Sequence, residues 1–457
     1  MRKVTSLRIS VSGVRGVVGE SLTPQLASKF AQAFGTYLGR GSVIVGQDSR
    51  ISGTMVKKAV LSGLLSVGCQ PVEIGICPIP SIQVLTKQSR AIGAIAVTAS
   101  HNPKEWNGLK FVNNEGLFLN YHQVDEFLDI YHQGEFSLAD VDKYKTPEFK
   151  KDPTEPHMKK LMSYFNVGLI SQKKYKVAID CTNGAGAVLA PRYLEELGCE
   201  PVLLNCVPDG SFAHHPEPLP ENIAGLCRTV VEKGADVGFV QDADADRLAV
   251  VNEKGEPLGE ELTLALATKY ILSQSAGPVV INLSTSRAID DIAEEFNVPV
   301  IRTKIGEINV VEQILSLEKK PAIGGEGNGG VILQDIHPCR DSFTAMGLIL
   351  EYMAKSGKTI SELQEGIPRY HMIKEKIQGT QEKAYRIIRQ LRKKYSDKGE
   401  ISLLDGLRIS FKDYWVHIRP SNTELIIRLI IEAKSRDTAE KMIEFWKKEM
   451  SEIVKWK

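Results

Sequence analysis

Three stretches of this chain repeat one rhythm: an apolar strand, a polar or glycine-containing loop, a helical pattern, then a second apolar strand. They are VIVGQDSRISGTMVKKAVLSGLLSVGCQPVEIG (43–75), KVAIDCTNGAGAVLAPRYLEELGCEPVLLN (176–205) and PVVINLSTSRAIDDIAEEFNVPVIRT (278–303). Short β-branched runs alternating with helical patterns predict βαβ units and mainly parallel sheets. The stretches share little identity, so the reading is a tandem repeat of α/β architecture rather than of sequence. Helix starts are expected at or near Ser52, Asn183 and Thr285/Ser286. At 457 residues and ~150 residues per domain, length alone suggests about three domains. From about 366 the pattern changes to a basic helix, short strands at 407–418, the strand LIIRLII and a closing helix, which reads as a smaller α+β domain. Breaks in the apolar rhythm place the domains at 1–152, 153–256, 257–368 and 369–457.

Composition narrows the function classes. With 57 basic and 56 acidic residues the formal net charge is +1, which calls for neither nucleic acid nor an anionic membrane as partner. The start, MRKVTSLRIS, lacks the apolar core of a signal peptide, and no apolar run reaches the ~18 residues of a spanning helix. Seven cysteines, with no C-x-x-C spacing, read as small core hydrophobes of a cytoplasmic protein. A monomer or homodimer acting on small molecules is the expectation.

The strongest chemical signal is VQDADADRLAVV (240–251), where Asp242, Asp244 and Asp246 alternate. In extended chain all three carboxylates would point one way, and they would repel without a cation. A hard divalent ion relieves that and keeps room for water and a phosphate oxygen. An EF-hand fits poorly, because Arg247 stands where that loop demands glycine and a strand follows. AVTASHNPKEWNGLK (96–110) sets Ser100 beside His101. Neighbours in extended chain face opposite ways, so this pair needs a turn before it could share a proton, and no GxSxG elbow surrounds it. RPSNTELIIRL (419–429) offers Arg419, hydroxyls and backbone N–H groups suited to a phosphate dianion; Ser421 and Glu424 also match a capping box, although the run that follows reads as a strand. IGGEGNGGVIL (323–333) brings Glu326 and Asn328 among glycines, suited to sugar hydroxyls but not to a dinucleotide fingerprint. ISVSGVRGVVG (9–19) contributes Arg15, and IRTKIGE (301–307) contributes Thr303 and Lys304.

Taken in order, TASHNP, D-x-D-x-D-R, G-E-x-N-G-G and R-P-S-N-T-E resemble the motifs of the α-D-phosphohexomutases across essentially the whole chain. The resemblance implies three tandem, similar, mixed-sheet α/β domains and a smaller C-terminal α+β domain around a central cleft. It implies that Ser100 is carried as phosphoserine and that Ser100, Asp242, Asp244 and Asp246 hold Mg²⁺. Thr303, Lys304, Glu326 and Asn328 would read the sugar, while Arg419, Ser421, Asn422, Thr423 and Arg428 would grip the existing phosphate. Arg15, His101, Lys110 and Arg247 complete the implied catalytic set. Phosphoserine would donate to a sugar hydroxyl, giving a hexose 1,6-bisphosphate that turns around and rephosphorylates Ser100. Phosphoryl transfer of this kind relies on positioning and charge neutralisation.

The sequence departs from that pattern in places. Asn422 and Leu425 stand where many relatives have glycine and proline, Ala243 where the metal loop usually has glycine, and Gly330 where a number of relatives have histidine. The last departure moves general acid/base work toward His101, Lys110 or another residue. The G-E-x-N-G-G loop resembles that of phosphoglucosamine mutases of some bacteria and of archaeal-type hexomutases more than it resembles the G-E-M-S-G-H form, which implies a phosphoglucosamine mutase, with phosphoglucomutase/phosphomannomutase as the alternative. A phosphoserine-dependent phosphatase and a non-catalytic sugar-phosphate binder are the readings from other classes.

Overall fold

The computed structural model describes residues 7–421 and 425–454, which form two compact units. One comprises Met1–Tyr270 with Asn328–Gln364, the other Ile271–Gly327 with Glu365–Lys457.

Each repeated stretch forms the expected parallel βαβ unit. Strand Ser42–Gln47 pairs in parallel with Gln70–Ile76, Lys176–Asp180 with Glu200–Leu204, and Val279–Asn282 with Val300–Thr303. In the first unit, a seven-stranded sheet carries a parallel centre. Its strands Gly13–Val17 and Trp106–Asn113 run antiparallel to their neighbours. Helices cover both faces. Phe30, Phe34, Phe111 and Phe127 fill one side beneath helices Pro24–Leu38, Gly53–Ser66 and Tyr121–Gln133; Ile44, Ile74, Ile82 and Leu85 fill the other beneath Ile79–Gln88. A four-stranded sheet follows, in the order 248–251, 237–241, 176–180, 200–204. Strand Gly93–Val97 leads into the loop that carries Ser100, and strand Val237–Gln241 into the loop that carries Asp242, at the strand ends where open α/β sheets place ligands.

In the second unit, Ile323–Glu326 joins the parallel pair at 279–303. The C-terminal sheet is five-stranded and antiparallel. Helices Gln381–Lys394 and Arg436–Ile453 cover it through Ile387, Leu391, Ile443 and Trp446.

Local differences from the sequence reading have clear causes. Ser52 does stand at a helix N-cap position, but its side chain makes no capping hydrogen bond, and its Oγ accepts from Asn107 Nδ2 at 2.9 Å instead. Asn183 caps nothing: its φ is +52°, and a short 3₁₀ turn intervenes before helix Ala190–Glu196. Helix Ala288–Glu295 starts just after Ser286, whose Oγ accepts from Ala288 N at 3.1 Å. Residues 366–380 contain an edge strand, His371–Gln378, with little apolar alternation to reveal it. All seven cysteines are free, and five are buried. No helix among the described residues is long and apolar enough to cross a membrane.

Candidate active site

The three aspartates meet in the first unit, but not by strand alternation. Strand Val237–Gln241 ends before Asp242, and the chain turns through Ala245 in the left-handed region (φ +59°) before resuming at Leu248. Asp242 Oδ1 accepts from the backbone N–H of Asp246 and of Arg247, each at 3.2 Å, which closes the loop on itself. Neighbouring elements hold its backbone: Ile79 N donates to Asp244 O at 3.0 Å, Ala185 N to Ala243 O at 2.8 Å, and Ser342 Oγ to Ala245 O at 2.7 Å. One oxygen from each carboxylate lies within 4.8 Å of the others, and all three residues are buried. Asp244 Oδ1 and Asp246 Oδ1 are buried without a hydrogen-bond partner. Unsatisfied buried carboxylate oxygens are costly, so this donor set fits a hard divalent cation.

Ser100 comes to the cluster from the loop after strand Gly93–Val97, with φ at +49°. Its Oγ donates to Asp242 Oδ2 at 3.0 Å. The same turn brings His101 round, so that Nδ1 lies 3.3 Å from Ser100 Oγ. The neighbours that extended geometry would separate are therefore within reach. Burial and the guanidinium groups of Arg247 and Arg15 hold His101 well below its ordinary pKa, which favours the neutral ring. Glu217 Oε1 stands 4.0 Å from its Nε2.

Cations frame the carboxylates. Lys110, on strand Trp106–Asn113, reaches Asp244 Oδ2 at 2.8 Å and Asp246 Oδ2 at 3.4 Å. Arg247 Nε lies 3.7 Å from Asp246 Oδ1. Arg15 donates to Asn102 Oδ1 at 3.1 Å, and burial pulls its pKa down to about 10 against the opposing charge of Asp244. The carboxylates respond differently. Burial, then Asp246 and Asp244, raise Asp242 well above the usual range; at Asp246, burial is outweighed by Arg340 and Lys110, which hold it below.

Two arginines escaped the sequence reading. Arg50 is 2 % exposed. Its Nε bonds Asp48 Oδ2 at 3.0 Å, while Nη1 and Nη2 donate to the carbonyls of Pro103, Trp106, Ser100 and Asn102 at 2.5–3.0 Å. It is the internal brace of the serine loop. Arg340 donates to Asp246 Oδ2 at 2.6 Å. Nothing in DSR or PCRD would have singled out either one, since each acquires its role through partners distant in sequence.

A second serine, histidine and aspartate constellation is structural. Ser81 Oγ lies 2.9 Å from His157 Nδ1, and His157 Nε2 lies 3.0 Å from Asp341 Oδ2. Ser81 and His157 are both fully buried, beyond reach of a substrate.

The expected sugar and phosphate residues divide between the units. Asn328 is in the first, where its Oδ1 accepts from Gly330 N at 3.2 Å. In the second, Glu326 Oε1 accepts from Asn282 Nδ2 at 2.8 Å and from Gly306 N at 2.9 Å. Thr303 Oγ1 donates to Lys304 O at 2.8 Å. Arg419 pairs with Asp405 at 3.4 Å, and Ser421 is buried. Arg428 sits in register with Arg419 on one side and Lys376 on the other. The three basic residues thus stand in one cross-strand row. Asn422, Thr423 and the Glu424 of the capping box lie outside the described residues.

Four family models match in order along the chain. Domains I, II and III of "Phosphoglucomutase/phosphomannomutase, alpha/beta/alpha" match residues 8–138, 155–255 and 259–370, and its C-terminal domain matches 375–447. A Thermococcus kodakarensis protein named "Phosphoglucomutase/phosphomannomutase" is 38% identical over 97% of this chain and 98% of its own. A Methanopyrus kandleri protein named "Probable phosphoglucosamine mutase" is 36% identical over 94% and 95%. The crystal structure of a Burkholderia thailandensis phosphoglucomutase/phosphomannomutase family protein superimposes with a TM-score of 0.84 at 25% identity, covering 98% of each chain.

Proposed function

Because the chain belongs to the phosphoglucomutase/phosphomannomutase family of α-D-phosphohexomutases, we propose that it interconverts hexose 1-phosphates and 6-phosphates through phosphoserine at Ser100, with glucosamine phosphate as the sugar. The observation that carries this reading is Ser100 Oγ, 3.0 Å from Asp242, at a cluster with two unsatisfied buried carboxylate oxygens.

The steps follow from the chain's own groups. A free sugar hydroxyl attacks the phosphorus on Ser100; the new P–O bond forms as the bond to Oγ breaks, and the hydroxyl proton passes to a base. Neutral His101, 3.3 Å from Oγ, is the assigned proton carrier beside the serine. Reversal with the other phosphate of the bisphosphate returns the phosphoryl group to Ser100. Arg15 and Arg247 supply positive charge where the transferring oxygens gather. A divalent cation such as Mg²⁺, held by Asp242, Asp244 and Asp246 with Ser100, would neutralise phosphoryl charge. Lys110 holds Asp244 and Asp246 in orientation through its contacts with both Oδ2 atoms. Thr303, Lys304, Glu326 and Asn328 are assigned to the sugar. Arg419, Ser421 and Arg428, together with Asn422 and Thr423, are assigned to the resting phosphate.

The G-E-G-N-G-G loop and relatives such as the Methanopyrus protein support glucosamine. The Thermococcus relative supports the second reading, a phosphoglucomutase/phosphomannomutase. The deciding assay supplies glucosamine, glucose and mannose 1-phosphates with Mg²⁺ and trace hexose 1,6-bisphosphate. The 6-phosphate should form, with the highest kcat/KM on glucosamine 1-phosphate. Ser100→Ala should lose turnover while ligand still raises its melting temperature. Free phosphate in place of 6-phosphate would make this a phosphatase.

A further inference from the structure

We propose that Arg340 is a positioning residue of the carboxylate cluster, aiming Asp246 at a bound cation, and that glycine at 330 is required because Arg340 occupies the space of its side chain. The proposal rests on the metal reading of the three aspartates.

Both residues lie on the hairpin formed by strands Gly330–Leu333 and His337–Arg340, in which Ile332 is paired with Arg340. Residues two apart in a strand share a face, so position 330 looks along the same surface that Arg340 crosses. A Cβ built on Gly330 would lie 2.3 Å from Arg340 Cδ and 2.9 Å from Cγ. No ordinary contact is that short, and even alanine would push the arginine stem aside. Gly330 needs no unusual backbone angle here; what it provides is volume.

The stem's path decides where the guanidinium arrives. Nη2 reaches Asp246 Oδ2 at 2.6 Å, and Lys110 Nζ approaches the same oxygen at 3.4 Å. Two cations on one oxygen lock the carboxylate against rotation about its last torsion. Oδ1 is thereby left buried without a hydrogen bond. That is the arrangement of a ligand whose second oxygen is held so that its first can coordinate. The Arg340 charge also opposes a cation through space, but its hydrogen bond is to Oδ2 and not to the unbonded Oδ1. Its orienting effect therefore governs affinity. Arginine's planar fork fixes direction in a way that a lysine ammonium does not.

Mn²⁺ binding, read by paramagnetic resonance or calorimetry without substrate, tests this on wild type, Arg340→Met, Arg340→Lys, Arg340→Ala, Gly330→Ala and Gly330→Ala/Arg340→Ala. Outer-shell losses of this kind run about 10–100-fold in metal affinity. Arg340→Met should weaken Mn²⁺ binding by that factor while its melting temperature in EDTA stays near wild type; Arg340→Lys should recover part of the loss. Gly330→Ala should behave like Arg340→Met, yet add no further loss to Arg340→Ala, because the obstructing stem is gone. Unchanged or tighter Mn²⁺ binding by Arg340→Met overturns the assignment. Additive losses in the double variant overturn the steric claim. Absence of Mn²⁺ binding by wild type itself overturns the metal reading on which both stand.

Discussion

Replacing Arg50 with methionine should uncouple the serine loop from the sheet beneath it. Methionine fills much of the arginine stem's volume but removes every donor. The Asp48 carboxylate, buried and already raised in pKa by desolvation, loses its Arg50 partner. The carbonyls of Ser100, Asn102, Pro103 and Trp106 lose their bonds as well. Hydrogen bonds to a charged group contribute ~1.5–3 kcal/mol each, and summing all five would exceed the stability of many domains. The sum overstates the cost, because residues 101–106 are partly or fully exposed and their carbonyls can rehydrate if the loop opens. What cannot rehydrate is Asp48. Breaking a buried pair by removing one partner costs about 3–5 kcal/mol, and that is the expected loss in urea-unfolding free energy. Amides of residues 100–106 should also lose hydrogen-exchange protection. Turnover should fall by ~10²-fold or more, since displacement of a reacting group by about an ångström has that effect. Arg50→Lys separates the contributions: it restores charge beside Asp48 but cannot reach four carbonyls, so stability should recover more than turnover. An Arg50→Met protein within ~1 kcal/mol of wild type, with full turnover, would refute the brace.

Three further outcomes are expected. Burial lowers His337 to about 4, with its Nε2 2.9 Å from Gly116 O. The folded pKa lies below the unfolded value of ~6.5, so the unfolded chain takes up the proton first. Stability present above pH 6.5 should therefore drain by roughly 2–3 kcal/mol as pH falls toward 4, and urea midpoints of His337→Gln should lack that component of the slope. Mg²⁺ at a hundred times its dissociation constant should stabilise wild type by ~2.7 kcal/mol, and EDTA should remove the gain; Asp244→Asn should need at least about tenfold more Mg²⁺ for the same thermal shift. Gly13 has φ +105°, and a Cβ there would lie 2.1 Å from Leu109 O; Gly13→Ala should lower stability by more than ~2 kcal/mol in thermal or urea unfolding.

Much of the architecture was legible because local patterns reported it directly. Alternation of β-branched runs with helical ones marked all three βαβ units, since strand and helix periodicities are properties of neighbouring residues. The charged edge strand His371–Gln378 was missed for the same reason, as it carries no clean apolar alternation. The aspartates were recognisable as a candidate cation site from their clustered like charge. The geometry inferred for them was wrong, because a turn through Ala245, not an extended strand, brings them together.

Sequence by itself determined the kinds of groups present and the elements that carry them: a serine after a strand, three clustered carboxylates, and a loop led by Arg419 before a strand. Tertiary structure alone decided which groups act on one another. The left-handed turn at Ser100 placed His101 Nδ1 3.3 Å from its hydroxyl, although extended geometry would have parted them. Arg50 and Arg340 became structural and electrostatic partners of the site only when loops some 50 and 90 residues distant folded against them. Periodicity and charge are written along the chain, whereas a hydrogen bond or a steric exclusion exists only between surfaces that folding has brought into contact.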